Sequence, residues 1–177
     1  MNIPFAPQAP FGNWSPMYNE ACEEASIVMV LRYFDHKGLT RMEMDREIKE
    51  LVSFQNKEYG GHFDLTIEKT AQLLKDYYKF DNFQVVSNAS VETIIDELAK
   101  KHPVIVPFDG RLLHNPYYRK PGPIYHMLVF KGYDLKQKEF IVNDSGTKRG
   151  LNYRYKFDVI ENAWGDWKTG NHSLLVF

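Results

Sequence analysis

The chain has 177 residues, 44% hydrophobic and 15% aromatic, which suffices to bury one substantial core and predicts one domain over 1–177. Its 22 Lys and Arg nearly cancel its 23 Asp and Glu, and no basic run interleaves with aromatics, so composition argues against a nucleic-acid partner. The longest apolar runs, 27–31 and 127–130, fall far short of the roughly 20 residues of a membrane span.

Residues 1–19 carry Pro4, Pro7, Pro10, Gly12 and Pro16 and predict an extended, aromatic-rich N-terminal arm. They show neither the charged nor the apolar region of a signal peptide. With Cys22 as the single cysteine there is no internal disulfide, which fits a reducing compartment and many exported bacterial domains alike. Localisation is therefore open: cytoplasmic as written, or exported if a leader has been removed.

A first helix is expected from about Glu20 to His36, ended by Gly38, with Glu20, Glu23 and Glu24 complementing its dipole. Thr40 and Glu43 have capping-box spacing and open a charged helix to about Gln55; Tyr59-Gly60-Gly61-His62 reads as a loop. Helices follow over 66–78 and after Ser90, separated by a short strand at 83–87 and ended by His102-Pro103. Beyond Pro103 the period changes to that of strands, at 104–106, 125–133, 139–143 and 173–177. The fold class is α+β, a helical N-terminal half packed on an antiparallel sheet from the C-terminal half. The connection 108–124 is long for a compact domain and is read as a lid or substrate-contact segment.

Cys22 opens the first helix, where unpaired N–H groups and the helix dipole favour thiolate, although three carboxylates beside it oppose ionisation. A cysteine hydrolase also needs a base within reach of sulfur and a group to orient that base. His126 starts one predicted strand and Asp144 ends its hairpin partner, so pairing through 132–134 brings them to one end of the sheet. Each also has a structural reading, Asp144 as a turn former before Ser145-Gly146 and His126 as a polar strand edge. For the oxyanion, the Cys22 N–H offers one donor; Gln8, or alternatively Asn19 if it does not cap the helix, offers a side-chain amide.

Trp14, His114 and Tyr117 are the candidate substrate contacts; Trp164, Trp167 and Tyr118 could also line a cleft, although in a chain this aromatic such rings, Trp14 and Tyr117 included, are more often core or rim packing. His36, His62, His102 and His172 read as solvated or capping histidines. No Cys or His pair has the spacing of a zinc site, so no metal and no cofactor is expected.

Ile3-Pro4-Phe5 with Gln8, Cys-x-x-Ala-Ser at 22–26, Tyr125-His126-Met127-Leu128-Val129 running to Gly132-Tyr133-Asp134, and Val142-Asn143-Asp144-Ser145-Gly146 together resemble the bacteriocin-processing peptidase-like family. Its members are papain-like cysteine peptidases related to domains that trim leader peptides after double glycine. The resemblance implies that Cys22 is nucleophile, His126 general base, Asp144 its orienting acid and Gln8 the oxyanion side chain, acting on a peptide or protein through a thioester. Two departures stand out: Glu23-Glu24 where family members commonly carry Gly-Pro, and a longer gap between Gln8 and Cys22. The alternatives are acyl transfer or amidase chemistry on the same thioester, a noncatalytic peptide-binding module, and a structural domain with an inert thiol.

Overall fold

The computed structural model describes residues 1–164 and 173–177, with the backbone alone over 173–176; Trp167 and His172 lie outside the described residues. Thr40 and Glu43 form the expected capping box and start a helix at Arg41–Glu58. This helix buries Met44, Ile48, Leu51, Val52 and Gln55, a stripe at spacings of three and four residues. Ser90 and Thr93 do the same for Val91–Ala99, and Thr66 caps Ile67–Tyr78. In chain order the helices are α1 (Pro16–Asn19), α2 (Cys22–Phe34), α3 (Arg41–Glu58), α4 (Ile67–Tyr78), α5 (Val91–Ala99) and α6 (Phe157–Ala163). The strands are β1 (Gln84–Ser87), β2 (Val104–Phe108), β3 (His126–Asp134), β4 (Glu139–Asn143), β5 (Tyr153–Lys156) and β6 (Ser173–Val176).

The strands form one antiparallel sheet in the order β1-β6-β2-β3-β4-β5. Helices cover both of its faces. Ile105, Met127 and Val129 join α2, α3 and α4 in one core, whereas Val104, Val106, Leu128 and Phe130 join α5 and α6 in a second. The alternation along β2 and β3 is the period-two signature of strands that bury both sides. The arrangement is the expected α+β one, with α5 of the N-terminal half and α6 of the C-terminal half together covering the second face. The tyrosines of Tyr153-Arg154-Tyr155-Lys156 alternate with basic residues, the one local signal for β5.

Helix α2 is enclosed between the sheet and α3. Every residue from Cys22 to Val30 is buried, and fully burying Ile27 or Met29 contributes roughly 1.5–3 kcal/mol each. The arm before it is not wholly extended, since Pro16–Asn19 makes a single helical turn. Asn143 Nδ2 donates to the carbonyls of Ile3 and Pro4, and Lys131 Nζ donates to Ile3, so the arm is tied to the strands that lead to the site.

Candidate active site

Cys22 is the first residue of α2, with Ala21 as N-cap and only 2% of its surface exposed. Its Sγ faces the backbone N–H of Met127, the residue after His126. Its side-chain hydrogen bond runs to Glu23 Oε2 at 3.0 Å and not to His126. Burial, reinforced by Glu23 and Asp64, pushes the thiol well above its ordinary range. The helix terminus therefore does not set the ionisation of Cys22 by itself, and the opposition of the acidic opening is realised.

The acids do not cap the dipole as expected. Both side chains are fully buried: Glu23 Oε1 accepts from the Leu65 N–H, while Glu24 Oε1 accepts from Gln55 Nε2 and lies 3.3 Å from His62 Nε2. Burial and the neighbouring Glu24 and Asp64 raise the Glu23 carboxyl well above its usual range. His62 is accordingly not a solvated histidine. Burial lowers its affinity for a proton, but the Glu24 carboxylate outweighs that and raises it. Gln55, on the buried stripe of α3, is what allows Glu24 to turn inward.

Strand β3 starts at His126, and β4 delivers Asp144 just past its end, with Val129 opposite Asn143 and an irregularity between Phe130 and Gly132. His126 Nε2 meets Asp144 Oδ1 at 2.8 Å, both buried. With Nε2–H committed to the acid, Nδ1 is the ring nitrogen left to accept a proton. Asp144 Oδ1 also accepts from the Gly146 N–H, and Oδ2 accepts from Asn115 Nδ2 at 2.9 Å and from the hydroxyls of Tyr118 and Tyr155, each at 2.7 Å. Burial alone would raise this carboxyl, but His126 and the tyrosine hydroxyls hold it below its usual range. Five hydrogen bonds thus fix a charged acid behind the imidazole, and the Tyr118 ring meets His126 edge-on at 5.4 Å between centroids.

The long connection contributes these supports through Asn115 and Tyr118, so it braces the acid besides lining the cleft. Neither Asn115 nor Tyr155 shows in the sequence as a site residue, because their role depends on a loop and an edge strand meeting at Asp144. Two glycines permit this approach. A Cβ on Gly146 would stand 3.0 Å from His126 Cε1, and one on Gly150 would stand 1.7 Å from the Asp144 carbonyl oxygen.

Gln8 is buried at the start of the arm's turn, its N–H bonded to the Ser145 carbonyl and its Oε1 accepting from Ser145 Oγ. Both hydrogens of its amide are engaged by the carbonyls of Tyr18 and Asn19. Asn19 ends α1 and does not cap α2; its side chain is exposed on the same cleft. The cleft, about 470 Å³, is lined by Gln8, Trp14, Asn19, Tyr118, His126 and Gly146 among others. Trp14 and Tyr117 line an adjoining hollow of about 600 Å³. His114 is exposed and does not line the cleft itself; it lines an adjoining depression with Arg111 and Pro116 that shares Tyr118 and Lys120 with the cleft. Trp164 is buried against Phe108 in the core.

Among the described residues no group of three or more His, Cys, Asp or Glu is arranged to hold a metal ion, and no helix is long and apolar enough to cross a membrane. The model of the Peptidase_C39 like family matches residues 1–171. A chain from Bacillus anthracis described as a C39-like peptidase superposes with a TM-score of 0.63 at 18% identity, covering 99% of this chain and 94% of its own. The peptidase domain of Streptococcus ComA, a bi-functional ABC transporter involved in quorum sensing, superposes with a TM-score of 0.52 at 17% identity over 89% of this chain and 90% of its own. Both likenesses are of fold. No curated protein matches the sequence.

Proposed function

The chain belongs to the Peptidase C39-like family, and from that membership we propose that it is a cysteine peptidase that hydrolyses a peptide bond in a peptide or protein substrate. The observation that carries this reading is the buried His126–Asp144 pair at 2.8 Å, held on the strand whose next residue, Met127, faces the Cys22 sulfur.

In the proposed reaction His126 Nδ1 takes the Cys22 proton while Asp144 stabilises the imidazolium through Nε2–H. The thiolate attacks the substrate carbonyl, and the Cys22 N–H stabilises the oxyanion together with a side-chain amide. Gln8 serves once it releases one of its two carbonyls; Asn19 is the alternative donor. His126 then protonates the leaving amine, and water, deprotonated by the same imidazole, resolves the thioester and frees the thiol. For attack to begin, the thiol must give up its bond to Glu23.

Alkylation of Cys22 by iodoacetamide, followed against pH in wild type and His126→Ala, tests the pairing. A thiol that is alkylated faster at neutral pH than the same thiol without His126 supports a peptidase. A slow thiol indifferent to His126 leaves a binding or structural domain.

A further inference from the structure

The hollow beside the cleft is lined by arginines that have no ion pair among the described residues. It shares Trp14, Arg119 and Gly146 with the cleft, so the two form one continuous groove. Arg41, Arg119, Lys148 and Arg149 line it, and no Asp or Glu does. Elsewhere each arginine has a carboxylate: Arg32 meets Glu43 and Glu47, Arg46 meets Glu47 and Glu50, Arg111 meets Asp109, and Arg154 meets Asp134 and Glu139. The three arginines that have no ion pair among the described residues are the three that line this hollow. In a chain of net charge −1, that segregation is local.

Arg149 is also held in place, its guanidinium 4.6 Å above the Tyr117 ring, which leaves its N–H fork for a ligand. Pro7, Pro10, Phe11 and Trp14 supply an apolar floor. At about 600 Å³ the hollow is large enough to take an amino-acid side chain together with its backbone. Guanidinium forks over an apolar floor fit a carboxylate on an extended peptide.

Resting on the peptidase reading for its biological context, we propose that this hollow is a substrate subsite that binds a carboxylate of the peptide, so that the enzyme selects acidic peptides. The carboxylate comes either from an Asp or Glu side chain beside the cleaved bond or from the peptide's C-terminus.

The test uses the Cys22→Ala protein and fluorescein-labelled polyalanine hexapeptides that carry Asp, Asn or Lys at one position, each with a free or an amidated C-terminus. Binding is read by anisotropy at low and high salt. Asp peptides are expected to bind about two- to fivefold more tightly than Asn peptides. That ratio is expected to collapse in Cys22→Ala/Arg119→Gln/Arg149→Gln and in high salt. A preference for Asp over Asn that survives amidation assigns the side chain; Asp and Asn peptides that bind alike with a free C-terminus and weaken together on amidation assign the C-terminus. Affinity indifferent both to Asp against Asn and to amidation, or a preference untouched by the arginine substitutions, overturns the subsite. Mass spectrometry of a peptide library treated with wild type is run in parallel and separates the two readings. Acid-selective binding without cleavage keeps the subsite and sinks the peptidase; cleavage indifferent to acidic residues keeps the peptidase and sinks the subsite.

Discussion

Cys22 and Glu23 are consecutive residues of one helical turn, and the thiol of the first donates to the carboxylate of the second at 3.0 Å in a pocket closed to solvent. Two acids this close in a low dielectric cannot both ionise readily, so each proton loss opposes the other.

Substituting Glu23→Gln removes the negative charge nearest the sulfur while keeping a side chain able to accept from Leu65 and to donate toward Cys22. The apparent pKa of Cys22 should fall, and alkylation at pH 7 should rise about tenfold for each unit of that fall. A pH–rate profile with iodoacetamide checks this. An unchanged profile would mean that Glu23 is already neutral when the thiol titrates.

The same carboxyl links stability to pH. Its native pKa lies above its ordinary value of 4.5, so between the two the native state holds the proton that the unfolded chain has lost, and stability falls as pH rises through this window. Glu23→Gln should therefore raise Tm relative to wild type at pH 8, and the gain should disappear below pH 4.5, where both states of wild type are protonated. A gain of equal size at both pH values would assign it to packing.

Asp144 works in the opposite sense. Its native pKa is held below 3.8, so its stabilisation is complete above that value and is lost as pH falls through the lowered native one. Removing two donors in Tyr118→Phe/Tyr155→Phe should cost about 1–3 kcal/mol at pH 7 in urea unfolding. The difference from wild type should narrow in acid once Asp144 is protonated in both proteins.

Gly146 and Gly150 separate activity from folding. Gly146→Ala places a methyl 3.0 Å from the imidazole and from the Tyr118 ring, which must yield by a few tenths of an ångström. On the peptidase reading, peptide cleavage should drop about tenfold with little change in Tm, since a small misplacement of the proposed base is costly in rate. Gly150→Ala instead meets the Asp144 carbonyl, which is backbone, and should lower Tm measurably. Thermal melts beside a cleavage assay distinguish the two effects.

The helices at Arg41–Glu58, Ile67–Tyr78 and Val91–Ala99 are legible from caps and periodicity because those signals are local. Strand β4 is similarly marked by its apolar run and following turn. Cys22, His126 and Asp144 could be nominated because the topology brings one helix start and two strand ends together. The ring of donors around Asp144 could not, since Asn115 and Tyr155 reach it from segments whose meeting is decided by tertiary packing. The inward turn of Glu23 and Glu24 was hidden for a related reason. Acids at a helix start ordinarily face water, and only Leu65, Gln55 and His62, each from another element, make their burial tolerable.

The mutual hydrogen bonds of Gln8 and Ser145 join positions 137 residues apart, and Asn143 clamps the arm at Ile3 and Pro4. During synthesis Cys22 leaves the ribosome long before His126, Asp144 or the strand that braces the arm. A chain of such non-local closure assembles late, so the sulfur spends its first moments without the neighbours it has in the folded molecule. The surroundings of Cys22 are thus completed only when strands made much later have paired.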